Sequence, residues 1–264
     1  MVITSRQNPK IKQARALYAR KGREESGLFL VEGIRHVGEA MQANFPLDHI
    51  FYAPELLRSE FAQRMIEHAA ARGVPIYETP PDIFNTLAEK DDPQGILAVA
   101  RQQTTPLASL TPDFHPWLVA AITPQDPGNV GTILRTIDAV GANGLILLDG
   151  GADSWHPTAV RASMGALFWV PVAQAGWGEF AEWARGYHLY GTSARGTADY
   201  REVNYVRPCV LLLGSEREGL NEEQAVACEM LVRLPMEGRV SSLNLAVAAG
   251  VMLFEMRSRL TTGE

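Results

Sequence analysis

Apolar positions along the chain follow two alternating patterns: short unbroken runs, and longer stretches in which they return every three or four residues. The runs at 28–31, 49–53, 74–78 and 95–100 read as strands. Between them lie helices: one reaching about Ala43, one over 54–71 closed by Gly73, and a short one over 82–87. A first helix starts at Asn8-Pro9, a capping side chain before a proline at the first helical position. Ile11, Ala14, Leu17 and Tyr18 form its inward stripe. This alternation predicts a small α/β layer domain over 1–101, in which no catalytic constellation stands out.

Residues 102–116 carry three prolines and little periodicity, and read as a linker. A second α/β domain is expected over 117–264. Its strands are continuous apolar runs at 117–122, 144–148, 170–173, 188–192, 209–213 and 231–234, the pattern of a parallel sheet covered on both faces. Val130, Ile133, Leu134, Ile137 and Val140 give one helix its apolar face, and Gly141 ends it. The small residues at 161–168 predict a helix packed closely against the sheet. The last helix is expected to begin near Ser242, whose hydroxyl is a good cap. One side carries Leu243, Ala246, Val247, Gly250, Val251 and Phe254, and the other Leu245, Ala249, Met252, Leu253 and Met256. A helix apolar all round is covered on every side. It is an ordinary central helix, threads into the fold, or is covered by a second subunit.

Composition narrows this picture. At 264 residues and 46% apolar, the chain is long enough for two globular domains. No run is long and apolar enough to span a bilayer, and the start lacks the apolar core of a signal peptide, so the expected location is the cytoplasm. Cys209 and Cys228 sit among apolar neighbours and read as reduced core thiols, and the six histidines lack ligand spacing, so no metal site is expected. The net charge of −6 is unevenly spread: residues 1–25 hold seven Lys or Arg against two Glu, a local +5 that leaves −11 for the rest. A positive arm on an acidic body suits salt-sensitive contact with a phosphate backbone; a solvated helix face is the alternative.

Glycine-rich loops after strands invite a nucleotide reading. In an open α/β sheet, ligands sit outside the carboxyl ends of the strands. Yet G-x-G-x-x-G, G-x-x-x-x-G-K-[ST] and G-x-S-x-G are all absent, which argues against dinucleotide, nucleoside triphosphate and serine-hydrolase sites. What is present is Asp126-Pro-Gly-Asn129-Val-Gly-x-x-x-Arg135, then Gly214-Ser-Glu216-x-x-Gly219-Leu, then Leu234-Pro-Met236-x-Gly-x-Val-Ser-Ser242-Leu243-Asn244. In order and spacing these resemble the three motifs of SpoU-type RNA ribose 2′-O-methyltransferases of the SPOUT class. The N-terminal half resembles their substrate-binding domain through Ser5-x-x-Asn8 and Leu28-Phe-Leu-Val-Glu32-Gly33-x-Arg35.

The resemblance implies a parallel α/β domain with a deep C-terminal trefoil knot, a homodimer formed through that domain, and S-adenosylmethionine as cofactor. By the same carry-over Gly214, Leu234 and Leu243, with Gly219 and Met236, would touch the cofactor, largely through backbone. Arg135, Asn129, Glu216, Ser242 and Asn244 match active-site positions. A guanidinium is effectively always protonated and a reluctant base, so Arg135 is expected to grip a phosphate and stabilise the developing alkoxide. Taken singly, each has an ordinary use: Asn129 or Ser242 as a cap, Glu216 in a helix-starting turn, Arg135 paired with Asp138. The expected substrate is ribosomal RNA, favoured by the Ser241-Ser242-Leu243-Asn244 variant, with transfer RNA second. An RNA-binding or ribosome-assembly protein without turnover is the rival from another class, and a nicotinamide enzyme a weaker one.

Overall fold

A computed structural model describes residues 1–89 and 93–262 of the chain. The expected ranges 1–101 and 117–264 take in residues 90–92 and 263–264, which lie outside the described residues. Two compact units emerge, Met1–Gln102 with Asp153–Phe168, and Gln103–Ala152 with Trp169–Glu264.

The first unit begins with α1 (Pro9–Ala16), where Asn8 Oδ1 accepts the Lys10 N–H at 2.9 Å as its sequence promises. After it come α2 (Arg20–Ser26), β1 (Leu28–Glu32), α3 (Ile34–Gln42), β2 (Leu47–Tyr52), α4 (Glu60–Ala71), β3 (Ile76–Glu78), α5 (Pro81–Phe84) and β4 (Ile96–Arg101). Its sheet runs β1-β4-β2-β3, with β4 antiparallel to both neighbours and β3 parallel to β2. Ile11, Leu17, Phe51, Phe84 and Leu97 fill the space beneath it, each worth about 1.5–3 kcal/mol once removed from water. The helix expected from residue 54 starts only at Glu60. Ser59 caps it by accepting the Ala62 N–H, and residues 54–56 form a turn followed by irregular backbone over 57–59 instead.

Arg23 is the unexpected member of this core. Only 1% exposed, it donates from Nε to Asp153 Oδ2 at 2.7 Å and from Nη1 to the carbonyls of Leu17 and Tyr18. A buried guanidinium is tolerable only when its donors are matched in this way.

The second unit opens at residue 103. The stretch read as a linker is well packed: Leu107 and Leu110 are buried, the Thr105 N–H donates to the Val172 carbonyl, and Trp183 Nε1 donates to the Leu110 carbonyl. Next come β5 (Trp117–Ile122), α6 (Pro127–Val140) and β6 (Leu145–Leu148). The chain then returns to the first unit as α7 (Pro157–Ala162). Small residues were expected to bring this segment against the large sheet. Gly165 instead lies on the Glu39 side chain, and Trp155 and Phe168 pack on Phe29 and Phe45 with centroids 4.8 and 5.1 Å apart.

After β7 (Val172–Ala175), α8 (Trp177–Trp183), β8 (His188–Thr192) and β9 (Ala198–Asp199), the chain enters β10 (Val206–Arg207) and β11 (Cys209–Leu213). It finishes with α9 (Glu222–Ala227), β12 (Met230–Arg233), α10 (Leu245–Arg259) and β13 (Thr261–Thr262). Seven strands form one parallel sheet in the order β7-β6-β5-β11-β8-β12-β9, so β11 slots between β5 and β8 although both precede it. The unbroken apolar run of β11 is the consequence: all five residues are buried. Among the described residues, no helix is long and apolar enough to cross a membrane.

Candidate active site

The ends of β5 and β11, neighbours in the sheet, carry two of the three glycine-containing motifs. After β5, Asp126 Oδ1 accepts the Gly128 N–H at 2.7 Å and Pro127 takes the first helical position, so Asp126 caps α6 and Asn129 lies inside its first turn. After β11 the chain doubles back: Ser215 and Gly219 exchange backbone hydrogen bonds of 3.1 and 3.0 Å, with Gly219 at φ 71°. This fold-back requires glycine at 214, because a Cβ there would stand 2.5 Å from the Gly219 carbonyl carbon.

The turn presents Glu216 to the β5 end. The Gln125 N–H reaches both carboxylate oxygens at 3.1 Å, and Asn129 Nδ2 donates to Oε1 at 3.3 Å. The third motif closes the chain: Asn244 Nδ2 donates to Asn129 Oδ1 at 2.9 Å, while Asn244 Oδ1 accepts the Ala246 and Val247 N–H groups at 2.9 and 3.3 Å. Both amide orientations are dictated from the ends. A carboxylate at one end can only accept, and helix N–H groups at the other can only donate, so Asn129 and Asn244 each have one arrangement that satisfies every atom. Three loops distant in sequence are thereby tied by one hydrogen-bonded relay, Glu216–Asn129–Asn244.

The remaining expected residues are placed differently. Ser242 does not begin the last helix: Asn244 has the side-chain acceptor in reach of two N–H groups, so α10 starts at Leu245 and Ser242 stays in an exposed loop. Arg135 lies on the exposed side of α6, and among the described residues nothing pairs with it, Asp138 included. Six residues along a helix is about 9 Å and 240° from Asn129, so it stands outside the relay. Gly219, Leu234 and Met236 are half-buried, and Leu243 is 39% exposed.

Residues missed by sequence reasoning are Gln125, whose backbone N–H anchors Glu216, and Thr123, a β-branched residue held at φ 38° at the end of β5. A backbone donor carries no residue signature, so neither was legible. Arg6, Lys10, Arg20, Lys21 and Arg23 of the basic arm are each paired with a carboxylate, and Lys12 and Arg15 have no such partner among the described residues. Burial pushes the Cys209 and Cys228 thiols up to about 12, so neither is a nucleophile, and no group of metal-binding side chains forms among the described residues.

A cofactor gripped largely by backbone needs free peptide groups and part-exposed apolar side chains at strand ends. Residues 235–243 answer both requirements: among the described residues their N–H and C=O groups make no hydrogen bond within the chain, and Leu234, Met236 and Leu243 flank or lie within them.

Residues 116–254 match the model of the SpoU rRNA Methylase family, and residues 8–98 that of the MRM3-like substrate binding domain. The chain is 32% identical to a 23S rRNA (uridine(2479)-2′-O)-methyltransferase of Streptomyces viridochromogenes, over 98% of this chain and 93% of that protein. It is 30% identical to a 23S rRNA (guanosine(2553)-2′-O)-methyltransferase of Bacillus subtilis, over 97% and 98%. Among solved structures it is similar to an AdoMet-bound rRNA methyltransferase from Sinorhizobium meliloti, with a TM-score of 0.90, 36% identity, and 98% and 97% of the two chains covered.

Proposed function

The chain belongs to the SpoU rRNA methylase family, and from that premise we propose that it transfers the methyl group of S-adenosylmethionine to a ribose 2′-hydroxyl of ribosomal RNA. The observation that carries this reading is the Glu216–Asn129–Asn244 relay, which draws the three motifs of the catalytic domain to one place.

Gly214, Gly219, Leu234, Met236 and Leu243 hold the cofactor, which when bound supplies an electrophilic methyl group. The relay fixes the loops that carry these residues, so the peptide groups facing the ligand are positioned before it arrives; such preorganisation is how positioning residues lower a barrier. Ser242, whose hydroxyl has no partner among the described residues, is free to hydrogen-bond to the RNA or to the cofactor. Arg135 is exposed, and among the described residues none of its five donors has a partner. It binds the phosphate beside the target ribose and stabilises the alkoxide as the proton leaves, with that phosphate or water as the acceptor.

The exposed side of α10 supports a homodimer. Val247, Val251 and Phe254 are 37–55% exposed, although Leu245, Ala249, Met252, Leu253 and Met256 bury the other side. A contiguous apolar stripe of this kind is covered in use, and a second copy of the chain is the proposed cover. The same reading carries the C-terminal trefoil knot, a site of action in the cytoplasm, and a division of labour in which residues 1–101 recognise RNA, 102–116 connect, and 117–264 catalyse.

The test is transfer of labelled methyl from S-adenosylmethionine to total RNA, followed by mapping of ribose methylation. One new 2′-O-methyl site in ribosomal RNA is expected. Transfer to a base, to transfer RNA alone, or to nothing would refute the proposal.

A further inference from the structure

The first unit contains a cleft of about 360 Å³ that the catalytic reading does not use, lined by Ile34, Leu56, Arg58, Ser59, Pro93 and Gln94. Resting on the reading of this chain as an RNA methyltransferase, we propose that the cleft receives one unstacked nucleobase of the substrate RNA, with a carbonyl-bearing edge, uracil or guanine, facing Gln94 and Ser59.

Its size is the first argument. Ligand pockets span about 300–1,000 Å³, so this one takes a single nucleotide rather than a stacked pair. Its rigidity is the second. Gly95, at φ 73°, runs so close under the neighbouring turn that a Cβ would stand 2.8 Å from the Leu57 nitrogen, and Gln94 Oε1 accepts the Ile34 N–H at 3.0 Å. Three separate segments are thus locked around the cavity before any ligand enters.

Chemistry supplies the third argument. Because Gln94 commits its oxygen to Ile34, its Nε2 group is left with two donors and no partner among the described residues. Ser59 Oγ already accepts from the Ala62 N–H, which leaves its hydroxyl proton to give. Arg58 is exposed and has no ion-pair partner among the described residues, and the same holds for Arg35 next to the lining residue Ile34. Among the described residues, the polar hydrogens of Gln94, Ser59 and Arg58 in this cleft are unspent, and the remaining walls, Ile34, Leu56 and Pro93, are apolar. Donors of this kind complement the carbonyl oxygens of uracil or the O6 and N7 of guanine, whereas an edge carrying the amino group of adenine or cytosine would set a donor against them. Sequence-selective RNA recognition works through such splayed bases, with phosphates held by nearby cations. Among the described residues, five basic residues of the first helices are paired with carboxylates, whereas Arg58 in the cleft and Arg35 beside it have no such partner.

The experiment measures binding of the full-length protein to five fluorescein-labelled RNA hairpins by anisotropy. Four differ only in a single bulged A, C, G or U, and the fifth is fully paired. The wild type should bind the U or G bulge about tenfold more tightly than the paired hairpin, within what one base held in a pocket contributes. Gln94→Glu keeps the acceptor for Ile34 but replaces the donors, and should move the preference to A and C. Arg58→Ala should weaken all five several-fold without changing their order. Equal affinity of the wild type for bulged and paired hairpins overturns the proposal, as does an unchanged preference in Gln94→Glu. If that happens while labelled methyl still reaches ribosomal RNA, the cleft assignment falls and the enzyme stands; if the wild type binds no hairpin and methylates no RNA, both fall together.

Discussion

Asn244→Asp separates the two things Asn244 does. The variant keeps the Oδ1 that accepts the Ala246 and Val247 N–H groups, and a carboxylate at the start of α10 is at least as good a cap as an amide. What it loses is the Nδ2 donor to Asn129, so two oxygens face each other where a 2.9 Å hydrogen bond stood, in a relay that already ends on the Glu216 carboxylate. The lost bond costs about 1 kcal/mol and the facing acceptors roughly as much again, while the cap recovers up to about 1 kcal/mol. Melting should consequently stay within a few degrees of wild type. Catalysis should not: if the relay sets the loops, a misfit of about 1.5–3 kcal/mol is a drop in kcat of about 10- to 100-fold. Asn244→Ala, in contrast, loses the cap as well and should also melt lower, by about 2–4 °C for a chain of this size. The assay pairs labelled-methyl transfer with thermal melting. Wild-type turnover in Asn244→Asp at wild-type stability would show that Asn244 is only a helix cap.

Arg135→Lys keeps a positive charge but loses the planar fork, and should lower kcat by about 10²-fold with little change in the affinity for S-adenosylmethionine measured by calorimetry; near-normal turnover would count against the phosphate-gripping role. Asp153→Ala leaves the buried Arg23 guanidinium without its counter-charge, a loss of about 3–5 kcal/mol that should lower the melting midpoint by about 10 °C, whereas Arg23→Met with Asp153→Ala should recover part of it. Phe254→Glu puts a charge in the exposed apolar stripe of α10 and should turn a dimer into a monomer in sedimentation equilibrium; a wild type that already sediments as a monomer would remove the dimer from the proposal.

The parallel sheet was legible because its strands, covered on both faces, announce themselves as unbroken apolar runs: 209–213 and 117–122 match β11 and β5 to the residue. Helix starts with an unambiguous signature were legible too, as at Asn8-Pro9. Errors arose where several residues compete for one role. Ser242 and Asn244 are both good caps, and the Asn129 amide, distant in sequence but 2.9 Å away in space, holds Asn244 in the capping position. Asn129 and Glu216 were found as residues, but the Gln125 N–H that joins Glu216 to the β5 end belongs to the backbone and leaves no trace in composition. Charge counting left out partners for a related reason. The excess of Lys and Arg in residues 1–25 is real, yet their partners Asp48, Asp82 and Asp153 lie far along the chain, and local counting cannot see them.

The return of Asp153–Phe168 to the first unit means that the peptide chain passes between the two bodies three times, near residues 102, 152 and 168, rather than once. Neither half is then a self-sufficient piece. A fragment stopped at residue 101 would strand Arg23 without Asp153 and bare the aromatic seat of Trp155 and Phe168, while a fragment begun at 117 would carry those two rings with nothing to rest on. Nicking one connection would leave the bodies tethered by the other two, so swapping the recognition half between relatives has to exchange both pieces of sequence at once.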